Sequence, residues 1–147
     1  MSTDLAELTY TRVHAAPREL LFEMLTTPEH LAHFWGPTGT TTPVERITVD
    51  LRPGGVFETV MVNDGDGSEY VMRAVYTEVD PPGRLAWTAP GGGMVTTITF
   101  TDRGDGTTEV VTHQANVPEP YRTPEARKGF ETSLARLDAY LAAYQAR

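Results

Sequence analysis

Hydrophobic and polar positions alternate along most of this chain and change to a three-four spacing in two places. Leu8 to His14 alternates around Tyr10 and Val13, which predicts a first strand. Ala15-Ala16-Pro17 ends it, and Pro17 suits a first helical turn, where the missing N–H is not needed. Leu20, Leu21, Met24 and Leu25 then recur at helical spacing. Thr27-Pro28-Glu29 opens a second short helix carrying Leu31, Phe34 and Trp35, which Gly36-Pro37 breaks. Strands follow in series: Ile47 to Leu51, Val56 to Val62, Tyr70 to Val79, Leu85 to Ala89, Met94 to Phe100 and Thr107 to Ala115. Turn-forming clusters separate them, including Pro53-Gly54-Gly55, Asn63 to Gly67, Pro81-Pro82-Gly83 and Asp105-Gly106. Thr123-Pro124-Glu125 opens the longest helix, whose stripe of Ala126, Phe130, Leu134, Leu137, Leu141 and Tyr144 runs to about residue 143.

The order is therefore strand, two short helices, six strands and a long helix. It predicts an α+β domain with a seven-stranded curved antiparallel sheet gripping a C-terminal helix. With no repeat, low-complexity stretch or linker, residues 1–147 form one domain, its core about residues 8–145. A helix is about 10 Å across and cannot cover such a sheet alone. The space left over is filled either by large side chains or by a ligand. The large inward candidates are Trp35, Phe57, Met72, Trp87, Met94, Ile98, Phe100 and Phe130, with Tyr70, Ser133 and Leu134 beside them.

Composition narrows the partners. A formal charge of −8 gives no basic footprint for nucleic acid or an anionic membrane. There is no cysteine, so disulfides, thiolate nucleophiles and thiolate metal sites are excluded. No apolar run approaches the roughly 20 residues of a membrane span, and the first residues lack the features of a signal peptide, so a cytoplasmic location is expected. The serines, Ser2, Ser68 and Ser133, sit in no nucleophile elbow. Asn63 to Ser68 lacks the glutamate that completes a calcium loop, and Gly91-Gly92-Gly93 lacks the Lys-Ser/Thr of a phosphate cradle. It is read instead as a lip over the cavity mouth. His30 and His33 have metal-compatible spacing but no third ligand, and they are expected to point outward. No cofactor is expected.

Several segments together resemble a known family. They are Ala16 to Phe22, Thr27 to Leu31, Phe34 to Pro37, Leu51 to Gly55, Asp80 to Leu85, Gly106 to Thr108, and Gly129 to Glu131 with Leu134 and Leu137. In this order they resemble the SRPBCC (START-like) superfamily, in the branch named after the C-terminal domain of the activator of the heat-shock-protein-90 ATPase. The resemblance implies the same helix-grip fold. That branch usually carries Gly-Trp in the terminal helix, where this chain has Phe130. Its pattern also implies that Val111 and His113 share the inward face of the last strand, His113 then serving either as a polar handle for a ligand or as a core histidine hydrogen-bonded to backbone or to a neighbour such as Tyr10.

Three functions follow as expectations. The first is non-enzymatic binding of a small hydrophobic molecule, lipid-like or an aromatic polyketide, in the cavity. The second is a co-chaperone-like module acting on a heat-shock ATPase. The third is a cyclase, dehydratase or hydrolase using His113 as acid or base with Glu58, Glu109 or Tyr70. Exposed edge strands make a homodimer a further candidate partner.

Overall fold

The computed structural model describes residues 7–91 and 93–146. Strand β1 (Glu7–His14) leads into helices α1 (Arg18–Thr26) and α2 (Pro28–Phe34). Two short strands follow, β2 (Thr40–Thr41) and β3 (Thr48–Val49). The long strands are β4 (Val56–Asn63), β5 (Glu69–Asp80), β6 (Arg84–Thr88), β7 (Val95–Asp102) and β8 (Thr108–Ala115), and helix α3 (Pro124–Gln145) closes the chain. The sheet runs β1-β8-β7-β6-β5-β4-β2, antiparallel throughout, with β3 also pairing with β4.

The predicted order therefore holds, with one more strand than periodicity shows. The strand expected over Ile47 to Leu51 shortens to Thr48–Val49, because a 3-10 turn at Val44–Arg46 precedes it and Pro53-Gly54-Gly55 follows. Gly54 has φ +88°, and a Cβ on Gly55 would lie 1.9 Å from the Asp50 carbonyl oxygen, so this turn requires glycine. A register shift between Tyr76 and Glu78 adds local twist where β5 meets β6.

The concave face is filled at one end only. There α1 lays Leu21, Phe22 and Met24 against Phe57, Tyr76, Leu85 and Phe100, all buried. Phe57 stacks on Tyr76 at 5.4 Å and meets Trp35 and Trp87 edge-on. Helix α3 starts at the opposite end, its first turn capped by the Thr123 hydroxyl, which accepts from the Ala126 N–H at 3.1 Å. Several hydrogen bonds tie α3 to β1, to α2 and to the turn after α2. Arg136 donates to the Gly36 carbonyl at 2.7 Å, the His30 ring and the Tyr140 hydroxyl meet at 2.6 Å, and Asp138 binds two groups of β1.

Candidate functional site

Between the sheet and α3 lies a cavity of about 450 Å³, inside the 300–1,000 Å³ range usual for small-molecule sites. Inward residues of β4 to β8 form one wall: Met61, Met72, Trp87, Ile98 and Val110. Phe130, Leu134 and Leu137 of α3 form the other, with Ser133 among them. Gly36 (φ +104°), two residues after α2, lies at the wall, and a Cβ there would come within 2.8 Å of Met61 Sδ. Trp35 also borders the space, but its indole N–H is committed to Thr59 Oγ1 at 3.1 Å.

Tyr70 of β5 and Tyr121, in the turn before α3, meet edge-on with their hydroxyls in contact. Both are partly exposed, and with Glu125 and Ala126 they form the mouth. Burial first, and then the neighbouring Tyr121, raises the pKa of Tyr70. The opposite end carries the least expected group. His14, the last residue of β1, is part of the wall, and its side chain is 0% exposed. Its Nδ1 lies 2.6 Å from Asp138 Oδ1, while Arg12 Nε donates to Asp138 Oδ2 at 2.7 Å. The other ring nitrogen, Nε2, is buried and has no partner among the described residues. Burial pulls the His14 pKa below its ordinary value, partly opposed by the hydrogen bond to Asp138. An orphaned buried polar atom costs about 1–3 kcal/mol, so natural interiors hold few of them.

Most of the expected lining is present. Trp35, Tyr70, Met72, Trp87, Met94, Ile98, Phe130, Ser133 and Leu134 all border the cavity. Phe57 and Phe100 do not: both belong to the filled end, where Phe100 packs on Phe22 at 5.5 Å. Val111 and His113 require a larger correction. Along β8 the buried positions are Thr108, Val110, Thr112 and Gln114, the last three lining the cavity, so Val111 and His113 lie on the outer face. A strand read one residue out of phase turns every side chain to the wrong side. His113 is bonded outside the sheet, its Nε2 3.0 Å from Glu7 Oε1.

Replacing His113 by Ala should leave stability within about 0.5 kcal/mol and cavity binding unchanged, as expected of an exposed surface position. A large loss in urea denaturation would contradict the outward placement. The acid–base set imagined around His113 also fails to assemble: Glu58 pairs with Arg73 at 2.8 Å on the outer face, and Tyr70 stands at the mouth. His30 turns inward to Tyr140, and exposed His33 stacks on the same ring at 4.8 Å. The calcium-like segment is a hairpin, with Asn63 Oδ1 accepting from the Gly65 and Asp66 N–H groups. Of the glycine lip, Gly92 lies outside the described residues; Met94, just beyond it, reaches the cavity.

What sequence reasoning missed is the pair His14 and Asp138, together with the inward polar residues Thr96, Thr112 and Gln114. One signal was available. Asp138 falls four residues after Leu134 and one after Leu137, inside the apolar stripe of the last helix, where a carboxylate needs a partner.

Comparison with known proteins agrees with this architecture. Residues 15–142 match the profile of the family described as Activator of Hsp90 ATPase homolog 1-like protein. No functionally curated protein matches the chain. Among solved structures, protein NE0264 from Nitrosomonas europaea is 27% identical with a TM-score of 0.81, covering 97% of each chain. Protein CV1439 from Chromobacterium violaceum is 25% identical with a TM-score of 0.82, covering 90% of this chain and 95% of its own. The AHSA1 (SPO3351) protein from Silicibacter pomeroyi is 26% identical with a TM-score of 0.75, covering 95% and 99%. With the profile spanning nearly the whole helix-grip domain, the chain belongs to the family of Activator of Hsp90 ATPase homolog 1-like proteins.

Proposed function

We propose that the protein binds a small hydrophobic molecule in the space between the sheet and α3. The observation that carries this reading is the cavity itself. About 450 Å³ remains unfilled among methionine, aromatic and aliphatic side chains, while the other end of the same sheet is packed solid. A fold that needed only a core would gain by filling it, since each missing contact forfeits dispersion energy. Met61, Met72 and Met94 suit a site that adapts its shape to the guest.

The test is titration with N-phenyl-1-naphthylamine, a neutral apolar dye whose fluorescence rises out of water. Saturable binding of one dye per protein is expected. Leu134→Trp, which fills the cavity from the helix side, should weaken it by at least about tenfold, or about 1.4 kcal/mol. The enlarged side chain enters open space, so the usual overpacking cost of about 1–3 kcal/mol should be largely avoided. Dye binding that is absent, or indifferent to Leu134→Trp, would overturn the reading.

Family membership supports a second reading, action on a heat-shock ATPase through the protein surface. Adding the protein at saturation to the chaperone of the same cell tests it, and an unchanged ATPase rate would exclude it.

A further inference from the structure

Three neutral polar side chains come together on the sheet wall of the cavity. Thr96 of β7 and Gln114 of β8 lie directly opposite each other, and Thr112, opposite Ile98, is the next inward residue of β8. We propose that Gln114, assisted by these two threonines, recognises an amide edge. The cavity then takes neutral, flat molecules that carry an N–H and a C=O side by side, as a lactam does. This step rests on the cavity being a ligand site.

The other buried threonines show what is unusual here. Thr26 donates to the Phe22 carbonyl at 2.8 Å, Thr42 to the Trp35 carbonyl at 2.7 Å and Thr108 to the Ala16 carbonyl at 2.7 Å, while Thr59 accepts from the Trp35 indole. Thr96, Thr112 and Gln114 are as deeply buried, at 3%, 6% and 9% exposure, yet none of them has a hydrogen-bond partner among the described residues. Nor are their polar atoms shut away. Among the described residues the sealed, unpartnered side-chain atoms are His14 Nε2 and Tyr76 Oη, so the two hydroxyls and the carboxamide keep their open surface, and it faces the cavity they line. Buried polar groups are nearly always paired, and three open ones on adjacent strands mark a place where a guest supplies the bonds.

The carboxamide sets the selection. Its C=O only accepts and its NH₂ only donates, so whichever way Gln114 is turned it presents one of each in a single plane. A guest with a lone carbonyl answers the NH₂ and leaves the amide oxygen dry, and a guest with a lone donor does the reverse. An N–H beside a C=O satisfies both. The threonine hydroxyls rotate to donate or accept, so they strengthen either contact without choosing between guests. Charge removes the anions: no lysine or arginine is among the described residues that line the cavity, and a carboxylate would be buried without a counterion. A carboxylate would also bring no donor to the amide oxygen. Aromatic rings flank the patch, Trp87 opposite Thr96 on β6 and Tyr10 opposite Thr112 on β1, which suits a flat guest.

The experiment compares carbostyril, a bicyclic lactam, with coumarin, which has a ring oxygen in place of the N–H and otherwise the same shape. Each competes against bound N-phenyl-1-naphthylamine. Carbostyril should displace the dye at a concentration at least about tenfold lower, because the coumarin ring oxygen would face the Gln114 oxygen with no hydrogen between them. Gln114→Leu, of similar volume, should reduce that ratio below about twofold, and a ratio cancels any general change in the cavity. Wild-type protein labelled with ¹⁵N at glutamine gives a readout without mutation. The chain has two glutamines, and the amide of Gln145 already donates to the Ala15 carbonyl at 2.9 Å, so it serves as the internal control. Carbostyril should move the Gln114 side-chain resonances and leave those of Gln145 in place. Three results would overturn the amide assignment and leave the cavity reading standing: equal displacement by the two compounds or by neither while the dye binds, a preference that survives Gln114→Leu, or an unmoved Gln114 resonance with carbostyril bound. A protein that takes up no dye would overturn both.

Discussion

Phe57→Ala is expected to lower the free energy of unfolding by about 3–5 kcal/mol, the usual cost of deleting a buried phenyl ring. The ring is 0% exposed and touches three other aromatic systems, Trp35, Tyr76 and Trp87. Strands β5 and β6 hold two of its neighbours in fixed register, Tyr76 lying opposite Trp87, so the walls cannot collapse into the hole. In a chain of this length the loss should appear as a fall in melting temperature on the order of 10 °C. Met72→Ala makes the contrast. Its side chain already borders empty space, so it loses fewer contacts and should cost about 2 kcal/mol. Urea denaturation of both variants checks the difference. If Phe57→Ala proved as mild as Met72→Ala, the division of the interior into a packed end and an open end would be wrong.

Asp138→Ala is the second large effect, expected to cost about 2 kcal/mol at neutral pH. The carboxylate is itself 38% exposed, and little of the loss comes from its charge. The cost lies in what it leaves behind: an imidazole that is 0% exposed, with a buried Nδ1–H donor stripped of its partner. Acid should sharpen the phenotype. The folded pKa of His14 lies below its ordinary 6.5, so the unfolded chain takes up this proton first as pH falls. The contribution of His14 to stability is therefore complete above about pH 6.5 and declines below it, by at most about 1.4 kcal/mol per pH unit. Removing Asp138 takes away the group that favours the charged ring, so the folded pKa drops further and the decline continues to lower pH. His14→Gln should lack this component altogether. Urea midpoints measured between about pH 7 and pH 5 for the three proteins resolve it. A slope unchanged by His14→Gln would show that another group carries the dependence.

Much of the architecture could be read from the sequence because it rests on local rules. The strands β1 and β4 to β8, the turns at Pro53-Gly54-Gly55 and Asn63 to Gly67, and the stripe from Ala126 to Tyr144 all stand where they were expected. Most of the lining was legible for the same reason: Met72, Trp87 and Ile98 are large residues on the inward phase of their strands. β8 was not. Its sequence places Val110 beside Val111, and Thr112, His113 and Gln114 after them, so hydrophobicity favours neither phase. Only pairing with β1 and β7 chooses, and it turns Val110, Thr112 and Gln114 inward.

The remaining distinction is between what neighbours along the chain dictate and what distant segments do to one another. By itself the sequence determined the element order, the single antiparallel meander, the long gripping helix and hence the existence of an interior too large for one helix to cover. Tertiary structure decided where that interior is filled and where it stays open: α1 brings Phe22 onto Phe100 at one end, and a cavity remains between the sheet and α3. It also built the buried pair beside the open end. His14 and Asp138 are 124 positions apart, and neither is unusual in its own segment. Only the crossing of α3 over β1 joins them, desolvates the imidazole and assigns its proton, because burial and hydrogen bonding depend on what meets in space rather than on what is adjacent along the chain.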